Sequence, residues 1–126
     1  KPSVAGKLNM LGGFDILWAR SLPAVWPQMS FVAHLKISAG LGRKHKFQLR
    51  CVNEDGHLHG PVLDIGVEMG GESKVPGVAP GLPLVLGIRN AVFPALGTYT
   101  FELWRGQDWI CSTDLHVAEP PIKAGA

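Results

Sequence analysis

Charged residues make up only 17% of this 126-residue chain, and Lys plus Arg (12) barely exceed Asp plus Glu (10). So sparse and balanced a charge gives no electrostatic footprint for nucleic acid and none for an acidic membrane surface. No apolar run reaches the roughly 18 residues that a spanning helix needs. No basic, apolar and small-residue succession marks a signal peptide. The chain begins at Lys1 without a methionine, as a fragment, a processed product or an incompletely bounded chain does, and the compartment stays open, with the cytoplasm favoured. The two cysteines, Cys51 and Cys111, are too few for a disulfide scaffold and lie in apolar runs. They are expected as buried free thiols, a single cross-sheet bridge being the alternative. Helical periodicity is missing as well: no amphipathic stretch of ten residues emerges.

What is abundant is apolar content, at 46%, and the punctuation of 16 glycines and 10 prolines. The first supplies one core for a single domain, residues 1–126 with 1–5 and 118–126 as tails, and its excess over charge suits a subunit better than a free monomer. The second cuts the chain into short extended pieces. Met29, Phe31, Ala33, Leu35 and Ile37 alternate with polar residues, the period-two mark of a half-buried strand. Residues 44–53 follow, with Phe47, Leu49 and Cys51 on one face; the basic cluster of Arg43, Lys44, His45, Lys46 and Arg50 reads as the solvated face. "NEDG", 53–56, is a turn whose glycine takes positive φ. Further strands are expected around Leu63–Met69, around Leu82–Ile88 (Pro83 marking an edge), over 93–104 and over 109–117. Two more, 7–11 and 14–19, flank Gly12 and Gly13. About eight strands define an all-β, two-sheet antiparallel sandwich.

The last hairpin poses a question of register. A two-residue loop at Gly106 and Gln107 would pair Leu103 with Ile110 and Phe101 with Ser112 and send Asp114 and His116 toward the core, which is costly. The expectation is therefore a three-residue loop with Gly106 or Gln107 left-handed in a bulge, pairing Leu103 with Trp109 and Phe101 with Cys111 and keeping Leu115 and Val117 inside. Trp104 then faces outward.

The stretch "GGFDILWARSLPAVWP", residues 12–27, places Phe14, Ile16 and Trp18 on one strand face as core and Asp15 and Leu17 on the other. Prolines at 23 and 27 forbid a helix beyond Arg20, so Leu22, Val25 and Trp26 belong to an extended crossover. Trp26 either plugs the open end of the sandwich or joins Leu22, Val25 and Trp104 in an exposed patch for a protein partner, with Arg20 and Asp15 as an ion pair or rim contacts.

Candidate chemistry is thin. Asp55, His57 and His59 are the nearest approach to a metal set, but no further ligand is named, and exposed hairpin histidines explain them. Neither a metal nor another cofactor is expected. Ser112 and His116 share a strand face about 13 Å apart, too far for a dyad. Cys111 lacks a basic neighbour to activate it. Asp64 and Glu68 pair on one face without a cleft. "MGGES", 69–73, lacks the lysine of a phosphate loop.

Two resemblances add to this. "LGTYTF", 96–101, resembles the tyrosine corner of immunoglobulin-like domains, with Phe101 at the core cysteine position, so the usual disulfide is absent. "GKLNMLGGFD" (6–15), "PAVWPQ" (23–28), "NEDG" and "FPALGTYTFEL" (93–103), in that order, resemble an uncharacterised family of small bacterial β-sandwich proteins of unknown function. The family pattern has an extra strand before Gly-Lys-Leu where this chain has only Lys1–Ala5, which implies an open sheet edge inviting a partner.

The reading is a non-enzymatic, immunoglobulin-like β-sandwich that binds a protein partner or copies of itself through Arg20, Leu22, Val25, Trp26 and Trp104, without nucleic acid or membrane insertion. The alternatives are a carbohydrate-binding module stacking sugars on Trp26 and Trp104, and a small metal-dependent enzyme at Asp55, His57 and His59.

Overall fold

A computed structural model describes residues 4–10, 16–37, 44–60, 62–68 and 81–121. Eight strands and no helix form among them: β1 (Val4–Met10), β2 (Ile16–Trp18), β3 (Ala24–Ile37), β4 (Lys44–Val52), β5 (Leu63–Glu68), β6 (Gly81–Phe93), β7 (Gly97–Arg105) and β8 (Asp108–Ala118). They make two sheets, β1-β3-β6 and β2-β8-β7-β4-β5. All pairings are antiparallel except the short β2, which runs parallel to β8. The expected two-sheet sandwich is thus the architecture, with Pro83 on edge strand β6.

The core follows the alternation. Phe31, Ala33, Leu35 and Ile37 of β3 are at most 2% exposed and face Phe47 and Leu49 of β4 and Phe101 and Leu103 of β7, equally buried. Each of the larger of these side chains, Ala33 apart, contributes on the order of 1.5–3 kcal/mol by leaving water. Between the sheets the Phe31 and Phe101 rings meet at 4.6 Å between centroids. Tyr99, two residues before Phe101, donates its hydroxyl to the Ala95 carbonyl at 2.8 Å, pinning the turn into β7. Cys51 and Cys111 are buried free thiols.

Five expectations are corrected. The facing of β2 is inverted: Leu17 is buried while Ile16 and Trp18 are exposed, because Leu17 pairs beside inward Val117 of β8. Phe14 and Asp15 lie outside the described residues, as do the glycines at 12 and 13 and the 69–73 stretch. His45 is not on the solvated face; strand parity places it with Phe47, 3% exposed, where the Arg105 Nε–H donates to its Nδ1 at 3.4 Å. The last hairpin has a two-residue loop after all, since Arg105 pairs with Asp108 and Trp104 with Trp109. The register then shifts, so that Leu103 pairs with Cys111 and Phe101 with Thr113, leaving Ile110 as the extra residue of a bulge. The bulge, rather than the loop, restores Leu115 and Val117 to the interior.

Val4 and Ala5 belong to β1 rather than to a tail. Val25 and Trp26 belong to β3, paired with Val92 and Ala91 of β6, rather than to a crossover. Here the two strands switch facing together. Ala24 and Phe93 are buried at one end of the pair and Met29 and Leu86 further along, and the parity changes near Pro27, opposite Asn90, whose φ is 53°. Pro27 cannot donate to the ladder and Asn90 adopts the left-handed conformation, so both sides of the pair turn over at one place.

Candidate functional site

Alternation that buries Leu49, Cys51, Phe101 and Leu103 turns Gln48, Arg50, Glu102 and Trp104 onto the outer face of the five-stranded sheet. These side chains brace one another. The Arg50 guanidinium lies 4.8 Å over the Trp104 ring, a cation–π contact. The Trp104 Nε1–H donates to Glu102 Oε1 at 3.2 Å, Arg50 Nη2 donates to Gln48 Oε1 at 2.7 Å, and Gln48 Nε2 donates to Asp64 Oδ1 at 3.0 Å. The chain of contacts therefore runs from β7 across β4 to β5. On the β7–β8 side, Thr100 donates to Asp114 at 2.8 Å and the Thr98 hydroxyl meets His116 Nδ1 at 2.9 Å. Such mutual bonds fix rotamers before anything binds, which lowers the ordering cost of an interface. Directly opposite Trp104 stands Trp109, 53% exposed. A large exposed aromatic beside braced polar side chains has the composition of an interface anchor.

Trp109 was missed in the sequence because the expected register turned it inward against Leu103. The signal that could have found it is the count between Trp104 and the turn: a two-residue loop sets the two tryptophans opposite each other whatever happens further along the strand.

The other expected contact residues lie elsewhere. Trp26 is half-buried against the core, as an end plug is. Val25 and its cross-strand neighbour Val92 are exposed, 55% and 45%. Arg20 and Leu22 line a shallow depression of about 400 Å³ with Leu96 and Glu119. Trp26 and Trp104 belong to different sheets, so they do not form one platform.

The Asp55, His57 and His59 set disperses. The amides of Asp55 and His57 both donate to Asn53 Oδ1 at 3.0 Å, closing the turn and leaving those two side chains exposed. His59 instead packs between Phe93 and Tyr99, with ring centroids at 5.9 and 5.2 Å, and hydrogen-bonds to the Val92 carbonyl. Among the described residues no three His, Cys, Asp or Glu side chains are grouped to hold a metal. Behind His59 a largely apolar cavity of about 220 Å³ reaches Cys51, Leu63 and Phe101. Burial, and then the Glu102 charge, push the Cys51 thiol up to about 12, and burial raises that of Cys111. Both stay protonated at neutral pH and are poor nucleophiles. Ser112 and His116 are exposed on the same outer face, with His116 engaged by Thr98.

The turn holds one more device that sequence reading overlooked. Glu54 accepts the Thr98 N–H at 2.8 Å, and its carboxylate lies where a Cβ on Gly97 (φ +136°) would approach to 3.0 Å. The 53–56 turn is thereby latched to the start of β7.

Fold and surface together define an all-β sandwich with a braced aromatic face. The chain belongs to DUF6941, a family of unknown function, which matches residues 1–118. No curated protein matches it in sequence. Among solved structures it is similar to part of a β-glucosidase from Listeria innocua, with TM-score 0.50 and 6% identity over 94% of this chain. The chain spans 17% of that structure's length, and the likeness is one of fold alone.

Proposed function

We propose that the protein is a non-catalytic, immunoglobulin-like binding module that works as a subunit of an assembly, its partner seating on the outer face of the five-stranded sheet. Trp109 carries this reading: an indole 53% exposed, beside a tryptophan already braced by Arg50 and Glu102. The immunoglobulin-like assignment is supported by the division of strands into β1-β3-β6 and β2-β8-β7-β4-β5 and by the tyrosine corner at Tyr99. It is supported too by the Phe31–Phe101 contact, which spans the two sheets where such domains carry their disulfide. A protein partner is favoured over a sugar because the guanidinium of Arg50 occupies a face of the Trp104 ring that stacking would need.

The test is affinity purification of the tagged protein from its native source, with Trp109→Ala alongside. The wild type is expected to carry a stoichiometric protein partner, self or other, and the variant to lose most of it while keeping its circular dichroism spectrum. A wild type that is monomeric and carries nothing overturns the proposal. Quenching of tryptophan emission by neutral glycans, with no protein captured, overturns it in favour of sugar binding.

A further inference from the structure

One end of the sandwich interior is incompletely filled. Along β6 the inward positions run Leu86, Ile88, Ala91 and Phe93, because the left-handed Asn90 advances the alternation by one residue. The place between Ile88 and Phe93 therefore holds a single methyl group. On the facing sheet the chain leaves β4 into the 53–56 turn, the His59 N–H donates to the Cys51 carbonyl at 2.7 Å, and Leu63 opens β5. Strands β5 and β6 are each the last of their sheet. The cavity of about 220 Å³ behind His59 lies between them. Buried Cys51, Phe93 and Phe101 form its floor, half-buried Leu63, Ile88 and Ala91 its flanks, and exposed Gly60, Arg89 and Asn90 its rim.

We propose that this cavity binds a small aromatic carboxylate, a single ring with a short acidic side chain, the ring inside and the carboxylate at Arg89. Size sets the first limit. An apolar cavity of about 150 Å³ takes benzene, so the volume here leaves room for one ring and a short substituent. The lining sets the second: Phe93, Phe101 and the His59 ring offer aromatic contacts, which gain beyond the area they bury. The His59 wall is already in place, its Nε2 bonded to the Val92 carbonyl and its ring held by Phe93 and Tyr99. Little ordering is left for binding. Charge sets the third. Arg89 lines the cavity and, among the described residues, no aspartate or glutamate does. The carboxylates beside the lining residues in sequence are engaged elsewhere: Asp64 accepts from Gln48 and Glu102 from Trp104 on the outer face, and Glu54 accepts the Thr98 N–H. Among the described residues Arg89 has no ion-pair partner of its own, and one guanidinium matches one carboxylate in bidentate geometry. The site is separate from Trp109 and goes beyond the protein-partner reading.

Titration of the full chain with phenylacetate, followed residue by residue in amide NMR spectra, tests this. Saturable shifts are expected at Cys51, His59, Leu63 and Ala91, and none at Trp109. Arg89→Gln is expected to weaken phenylacetate about fivefold, the effect of a partly exposed ion pair, and to leave the neutral phenylacetamide unchanged. Ala91→Leu, which fills the cavity, is expected to abolish binding of both, with Leu63→Phe as a second filling variant should Ala91→Leu fold poorly. Trp109→Ala is expected to keep the wild-type affinity, so this site stands or falls apart from the protein-partner reading. A wild type without saturable shifts, or binding that survives the filled cavity, overturns the proposal. Phenylacetate that binds no more tightly than phenylacetamide, or that is indifferent to Arg89→Gln, overturns it as well. Hexanoate binding more tightly than phenylacetate overturns the aromatic assignment in favour of an aliphatic acid.

Discussion

Tyr99, Gly97 and Cys51 show how much single side chains hold in place. The Tyr99 hydroxyl satisfies the Ala95 carbonyl, so Tyr99→Phe is expected to cost about 1 kcal/mol in denaturant unfolding, the net worth of one such bond. At Gly97 the φ of +136° and the Glu54 carboxylate both exclude a Cβ. Gly97→Ala is therefore expected to destabilise by about 1–3 kcal/mol, and adding Glu54→Ala should recover only the part due to crowding. For Cys51, burial lifts the thiol from 9.0 to about 12. The unfolded chain then loses its proton near pH 9 while the folded chain keeps it. The contribution to stability is complete below pH 9 and is lost as pH rises from 9 towards 12. Urea midpoints measured across that window should fall more steeply for wild type than for Cys51→Ala. The Tyr99 corner was legible in "LGTYTF" because spacing to Phe101 defines it. His45 was not, because charge grouped it with Lys44 and Lys46 when parity alone set its direction.

Among the elements, β3, β4 and β7 were readable from alternation because both sheets bury one face of each. Failure came where pairing, not pattern, decides facing. In β2 three residues are too few for a period to speak, and the neighbouring Val117 chooses Leu17. In β3 the switch at Pro27 and Asn90 requires two strands to turn together, which neither sequence segment shows alone. In β8 the parity expected for Leu115 and Val117 was right, but the extra residue was assigned to the loop instead of to the strand. The bulge makes a direct prediction. Deleting Ile110 restores regular pairing without moving Leu115 or Val117, so the shortened chain is expected to fold cooperatively, losing roughly 1.5–3 kcal/mol of Ile110 burial. Loss of cooperative unfolding would show that the bulge itself is required for closure.

For the whole molecule, stability should be uneven. β3 lies between β1 and β6, and β7 between β8 and β4, with Phe31, Tyr99 and Phe101 on their inner sides. Amide exchange is expected to be slowest in those two strands and faster in edge strands β2 and β5, whose backbone is paired on one side only. Uniform protection across all eight strands would contradict that hierarchy. The candidate surface was half legible: outward Trp104 followed from strand parity, whereas Trp109 depends on whether the extra residue of the last hairpin sits in the loop or in the strand. The Phe31–Phe101 contact carries a last consequence. A sandwich pinned by two rings is indifferent to reductant, so dithiothreitol should leave its melting temperature unchanged, and the chain can mature without any oxidative folding machinery.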